Sequence, residues 1–372
     1  MKENSFTKDH SLMLKGVMIM MLLFHHVFYG DAVAEQGIIL STGRTDMFTV
    51  LVPYARLCLS GFAFITAYGV TCQMMACSGS IREYLEICVN RLVKISASCL
   101  FVYVIAVTYK RLVVVQSVRD VYRDAAGVFH PLYMVFDALG FADLLGTPMM
   151  NVTWWYFSYA ILLVGSLPAI FMLYRKVRFF LFPLVMFVID DSLVGIAVLG
   201  VLFAYEDIFA RMVMIVHKKV NFLWRGSIMA ACLFGLVCSY SIVAKSRDSD
   251  MVMYWIGAVY AVIVMMYLSK VPVISTLLRC IGKYSATMFM THTFIYMYFY
   301  KDFIYSFRRD YLIYGVLLGC SLATAIIIDT LRRLLRYDRL VSNVNKKIAW
   351  FLREIRVLTS DRMVNGKGVE KP

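Results

Sequence analysis

Apolar runs of membrane-crossing length recur along the whole of this 372-residue chain, and no soluble fold accommodates that pattern. A helix crosses the hydrocarbon core with roughly 17 to 25 mostly apolar residues, because each backbone polar group there must be satisfied inside its own segment. With 61% hydrophobic and only 17% charged residues, the chain is expected to fold as an all-α, polytopic membrane helix bundle.

Apolar runs and the breakers between them place ten helices near 13–30, 48–73, 93–115, 153–173, 178–190, 192–209, 226–244, 252–268, 284–305 and 311–330. Asp190-Asp191 divides the fifth from the sixth as a tight hairpin turn. One kinked helix there would leave nine spans and put the termini on opposite sides. The charges separate the two schemes, since Lys and Arg collect on the cytoplasmic side. With ten spans and a cytoplasmic N-terminus, 27 of the 38 Lys and Arg fall inside. A multi-pass protein of the cell membrane with both termini in the cytoplasm follows. It divides into a ten-helix membrane domain over 1–331 and a basic cytoplasmic tail over 332–372.

The net charge of +14 is spread over the inner segments and this tail, so no basic domain is available for nucleic acid. The tail, with Arg332, Arg333, Arg336, Arg339, Lys346, Lys347 and the apolar Leu334, Leu335 and Trp350, can lie on an anionic leaflet or stay solvated. Ala32-Val33-Ala34 has the small residues of a signal-peptide cleavage site, but paired histidines in the preceding segment favour a retained first helix. The nine cysteines lie largely in apolar runs without metal-ligand spacing, as small buried hydrophobes.

Within the first helix, Lys15 and His26 are separated by an eleven-residue step. That step turns a helix to within about 20° of its starting face and rises about 16 Å. A cation at the membrane edge and a deep imidazole therefore share a face. Ionisable groups at depth are costly enough to suggest function. A neutral imidazole can take a proton from a hydroxyl and return it to a leaving group, although an interhelical hydrogen bond would also explain His26. His25 points about 100° away and reads as a supporting group. Lys15 either snorkels to lipid phosphates or binds an anionic cytosolic donor. Arg91 and Lys94 open the third helix from the inside, as membrane anchors or as phosphate ligands of a donor such as coenzyme A.

Three further stretches are unusual for lipid-facing helix. Ser60-Gly61-Phe62 offers small groups for close helix contact. Trp154, Trp155 and Tyr156 begin the fourth span as interfacial aromatics that could also stack on sugar faces, and they are the acceptor-side candidates. Gly282-Lys283-Tyr284-Ser285 leads into the ninth span, where His292 reads as a polar packing contact rather than a second catalyst.

In this order the motifs resemble the integral-membrane acyltransferase family 3, over roughly residues 12 to 330. Members O-acylate cell-surface polysaccharides and related acceptors. The resemblance implies a ten-helix enzyme, a transferase of groups other than amino-acyl. It would move an acyl group, usually acetyl, from cytosolic acetyl-CoA or another acyl-CoA to a hydroxyl of an extracytoplasmic glycan or lipid-linked saccharide. It implies no bound cofactor or metal, a catalytic role for His26 with His25 beside it, and donor binding by Lys15, Arg91 and Lys94. Many relatives carry Arg at the position of Lys15 and a Glu after the fourth-helix Trp, where this chain reads Tyr156-Phe157-Ser158-Tyr159. Trp-Trp-Tyr resembles the branch that modifies exopolysaccharide and capsule. Two rivals remain. A transporter or flippase of lipid-linked saccharides would need paired broken helices and a polar midplane path. A glycan polymerase would use arginines of a long outer loop, here Arg119 and Arg123 within 116–152.

Overall fold

A computed structural model describes residues 6–189, 192–217, 221–246 and 250–350, and the Asp190-Asp191 turn expected from sequence lies outside them. Thr7 starts the first helix, α1 (Lys8–Val27), with a reciprocal cap: its hydroxyl accepts the His10 N–H, and His10 Nδ1 accepts the Thr7 N–H. There follow α2 (Thr45–Ala55), α3 (Cys58–Met75), α4 (Ile81–Leu112), the short α5 (Pro131–Ala138), α6 (Trp155–Val177), α7 (Ser192–Tyr205), α8 (Ile208–His217), α9 (Asn221–Ser246), α10 (Asp250–Met266), α11 (Pro272–Thr293) and α12 (Asp310–Leu334). Among the described residues there is no strand beyond two isolated bridges, Ile39 with Arg309 and Arg123 with Phe129. The chain is an all-helical bundle of several membrane spans.

Among the described residues, seven stretches are long and apolar enough to cross a membrane: α1, α2 with α3, α4, a run from Val152 to Phe187, α9, α10 and α12. The pair α7 and α8, bent by 56°, makes an eighth if the two form one broken span rather than a re-entrant loop. Over 178–189 the helix is broken: Arg178 takes a positive φ of 57°, and a short α-helical piece is followed by π-helical Val185–Ile189. Several helices begin earlier than expected from the sequence, α4 and α11 by the largest margin. α4 starts at Ile81, where the Ser80 hydroxyl accepts the Arg82 N–H, so Arg91 and Lys94 sit about three turns inside it rather than at its mouth. Charged residues interrupt apolarity without interrupting helix. α11 likewise runs from Pro272 straight through Gly282-Lys283-Tyr284-Ser285. Its Ser, Thr and His content keeps it below membrane-span apolarity, yet its second half is buried because it lies in the middle of the bundle rather than against lipid.

Close backbone approaches set the core. A Cβ on Gly16 of α1 would strike the Leu278 carbonyl, and one on Gly282 of α11 would strike the Leu12 carbonyl. Glycine at both positions lets α1 and α11 pack backbone to backbone. Ser60-Gly61-Phe62 acts in the same way on three neighbours. The Ser60 hydroxyl donates to Met253 O at 2.6 Å and accepts the Gly257 N–H at 3.0 Å, locking α3 to α10. Gly61 lies under Met18 of α1, and Phe62 turns toward an internal chamber. The cysteines are free; Cys58, Cys88, Cys99 and Cys232 are buried, whereas Cys72 and Cys280 face outward and correct the buried reading for those two.

The segment between α4 and α6 forms a small cap fastened by its own side chains. Tyr122 donates to the Asp137 carboxylate at 2.7 Å, which also accepts the Met150 N–H at 2.7 Å. Burial outweighs both bonds and pushes the Asp137 carboxyl up to about 6. Arg123 is held by Asp120 and the Gly127 carbonyl, and Arg119 lies over Phe129, so both arginines serve the cap itself.

The described part of the tail, residues 332–350, packs on the helices of the bundle. α12 continues to Leu334, and residues 337–350 form another helix laid back on the bundle. Tyr337 donates to Ala97 O at 2.9 Å and packs on Phe101, while Arg332 reaches Ser98 and Asp338.

Candidate functional site

The glycine seam between α1 and α11 brings His26 and His292 together, with ring centroids 5.1 Å apart. His292 is fully buried. Its Nδ1 lies 2.8 Å from Phe289 O; a carbonyl only accepts, so Nδ1 carries the proton and Nε2 keeps its lone pair beside the Thr293 hydroxyl, 3.3 Å away. Thr293 joins Thr153 at 2.9 Å, and Thr153 donates to Asn151 Oδ1 at 2.8 Å. Asn151 also caps the 3-10 turn Val152–Trp154 that leads into α6 by accepting the Thr153 N–H. The polar residues at the head of α6 thus tie it to α11.

His26 is partly buried, and among the described residues its ring forms no hydrogen bond. His25 is more buried, and its Nδ1–H donates to Val52 O at 2.7 Å, pinning α1 to α2. The two rings touch at 5.1 Å, and both line one chamber of about 650 Å³. The 100° between neighbouring residues does not part them, because the chamber wraps around the end of α1. Its walls include Trp155, Tyr156, Phe289 and Tyr296, with Glu35 and Lys301 also lining it. Trp154 lies in neither chamber: it is buried, and its Nε1–H donates to Met290 O at 3.1 Å. Of the acceptor-side candidates, Trp155 and Tyr156 remain.

A second chamber, about 1300 Å³, is lined by Lys15, Arg91 and Lys94. The three expected donor ligands therefore do share one space, contributed by α1 and α4. Among the described residues, Lys15 and Arg91 have neither an ion pair nor a hydrogen bond, and Lys94 is exposed. Glu86 and Asp338 also line this space, Asp338 paired with Arg332, so Lys15 and Arg91 are the cations of the chamber left to meet an anionic occupant.

Tyr156 and Phe289 line both chambers, and their rings lie 5.4 Å apart. This aromatic pair is the partition between the two spaces. Sequence reasoning assigned Tyr156 to one side only and passed over Phe289. The dense run of Thr and His over 287–293 was the available signal that this part of α11 faces the interior. It also missed that Asn345 and Trp350, beyond the last span, line the larger chamber. Comparison with protein-family models, with curated proteins and with solved structures yields no match for this chain.

Proposed function

We propose that this chain is a membrane O-acyltransferase that moves an acyl group, acetyl in the first instance, from cytosolic acyl-CoA to a hydroxyl of an extracytoplasmic glycan. The single observation that carries the proposal is the pair of chambers meeting at Tyr156 and Phe289, one lined by Lys15, Arg91 and Lys94 and the other by His25 and His26. The motif order that resembles acyltransferase family 3 supports it independently. In this reading the protein has ten spans with both termini in the cytoplasm of a bacterial cell, and the Lys15 chamber opens inward. Donor phosphates sit at Lys15, Arg91 and Lys94. The thioester lies near the partition, since Lys15 and His26 are about 16 Å apart along α1.

The acceptor enters the other chamber between Trp155 and Tyr296. His26 then removes the proton of the acceptor hydroxyl as its oxygen attacks the thioester carbonyl, and the proton passes to the departing thiolate, giving ester and free thiol. His25, fixed through Val52, holds the neighbouring ring in place. Attack by His26 itself, through an acyl-imidazole, leaves the same products.

The test is purified protein in liposomes with acetyl-CoA supplied on the Lys15 side, read by mass spectrometry of the acceptor glycan. Wild type adds one acetyl mass, and His26→Ala, folded by thermal melt, adds none. Acetylation by His26→Ala at the wild-type rate refutes the catalytic assignment. Saccharide flux without acetyl-CoA would instead favour a flippase.

A further inference from the structure

The helix over residues 337–350 presents Asp338, Val341, Ser342, Asn345 and Ala349 at helical spacing, and all five line the Lys15 chamber. Asn345 is 8% exposed, and its Oδ1 has no hydrogen-bond partner among the described residues. A buried acceptor left unpaired costs about 1–3 kcal/mol, so such a group is usually completed by something that binds. An amide oxygen accepts and cannot donate, which limits its partner to an N–H or O–H.

Trp350 also lines the chamber and is 62% exposed, which puts a large flat ring at its rim. Lys346 stands between the two in sequence and faces the same space. Val341 is buried, and Tyr337 is bonded to Ala97, so this wall is fastened to α4 at its start.

We propose that this helix is the part of the chamber that reads the nucleotide end of the acyl carrier. Asn345 Oδ1 accepts a hydrogen bond from the exocyclic amine of adenine, and the Trp350 indole stacks on the base. This rests on the acyltransferase reading above. With the thioester at the Tyr156–Phe289 partition and phosphates at Lys15 and Arg91, the adenosine is the part of coenzyme A left for the rim. Stacking on an aromatic ring and one amide contact distinguish a purine from a bare phosphate.

The experiment titrates detergent-solubilised full-length protein with coenzyme A and, separately, with 4′-phosphopantetheine, which keeps the amide arm and a phosphate but lacks adenosine. Asn345→Leu is expected to weaken coenzyme A about tenfold and to leave phosphopantetheine unchanged. Trp350→Ala, at an exposed position that folding tolerates, is expected to weaken coenzyme A alone by a similar factor. Equal losses for both ligands would assign Asn345 to the pantetheine amides and overturn the base contact. Unchanged coenzyme A affinity in both variants would overturn the role of the helix. Failure of the wild type to bind coenzyme A would overturn the acyltransferase reading and the inference with it, and is seen without any variant.

Discussion

Replacing Gly282 by Ala adds one methyl group where α11 has no room for it. Apart from the Leu12 carbonyl oxygen, which it strikes first, the new Cβ would lie 2.7 Å from the carbonyl carbon of Leu12 and 2.9 Å from the Gly16 nitrogen. Carbon atoms settle at about 3.5–4.0 Å, so α11 must retreat from α1 by about 1 Å. Both obstructing groups are backbone, and neither can rotate aside. Overpacking of this kind costs about 1–3 kcal/mol. The same retreat separates His292 and Phe289 from His26, and a 1 Å misplacement in a reacting constellation can cost about 100-fold in rate. The assay pairs thermal melting in detergent with the acetyl-transfer rate in liposomes. A control is available within the same molecule: a Cβ on Gly315, inside α12, meets nothing within 4 Å. Gly315→Ala should therefore raise stability by about 0.5–1 kcal/mol while leaving turnover unchanged. A Gly282→Ala protein that melts and turns over like wild type would refute the backbone seam as the device that sets the histidine pair.

Other expectations follow from single contacts. Tyr156→Ala removes half of the partition, so water should reach the thioester; release of free thiol from acetyl-CoA without acceptor is expected to rise, and an unchanged rate would contradict the partition. Ser60→Ala removes both hydrogen bonds that tie α3 to α10, while Gly257 N–H and Met253 O keep each other as i and i−4 partners within α10, and should cost about 0.5–1.5 kcal/mol, visible as a lower melting temperature. Asp137 has a folded-state value of about 6 against 3.8 for the free side chain, so the cap binds that proton more tightly than the unfolded chain does. Its contribution is fully present below pH 3.8 and is lost as pH rises through 6, by up to about 3 kcal/mol. Asp137→Asn should flatten that dependence, as measured by hydrogen exchange at the Met150 amide corrected for intrinsic rate.

Hydrophobic runs made the helical membrane class legible, because lipid leaves the backbone so few alternatives. Helix ends were read less well. The start of α4 was placed near residue 93 and that of α11 near 284, since charged and polar residues end an apolar run without ending a helix. At the site, the step from Lys15 to His26 implies a shared helical face but says nothing of what lies across from it, and the two residues line different chambers. His292 belongs to a helix 266 positions farther on, and only the fit of Gly16 and Gly282 brings it alongside. Trp154 and Trp155 show the opposite difficulty. They are adjacent and chemically identical, yet one donates to Met290 O in the core and the other lines a chamber. Helical phase relative to a neighbour decided between them, and phase depends on packing. The basic and apolar residues of 332–350 are equally compatible with a leaflet-bound helix and a solvated tail, and neither reading points to the chamber that residues 338–350 line.

The thinness of the Tyr156–Phe289 partition has an electrical consequence. If, as proposed above, the two chambers open to opposite faces, they shorten the insulating layer locally, and a transmembrane voltage would fall mostly across the material between them rather than evenly over about 30 Å of hydrocarbon. A full elementary charge carried through that drop is worth about 2.3 kcal/mol per 100 mV. His26 stands at that place. A proton gained or lost by its ring during a reaction would be felt by the membrane potential, and the energised state of the cell would then enter the rate alongside the concentrations of the two substrates.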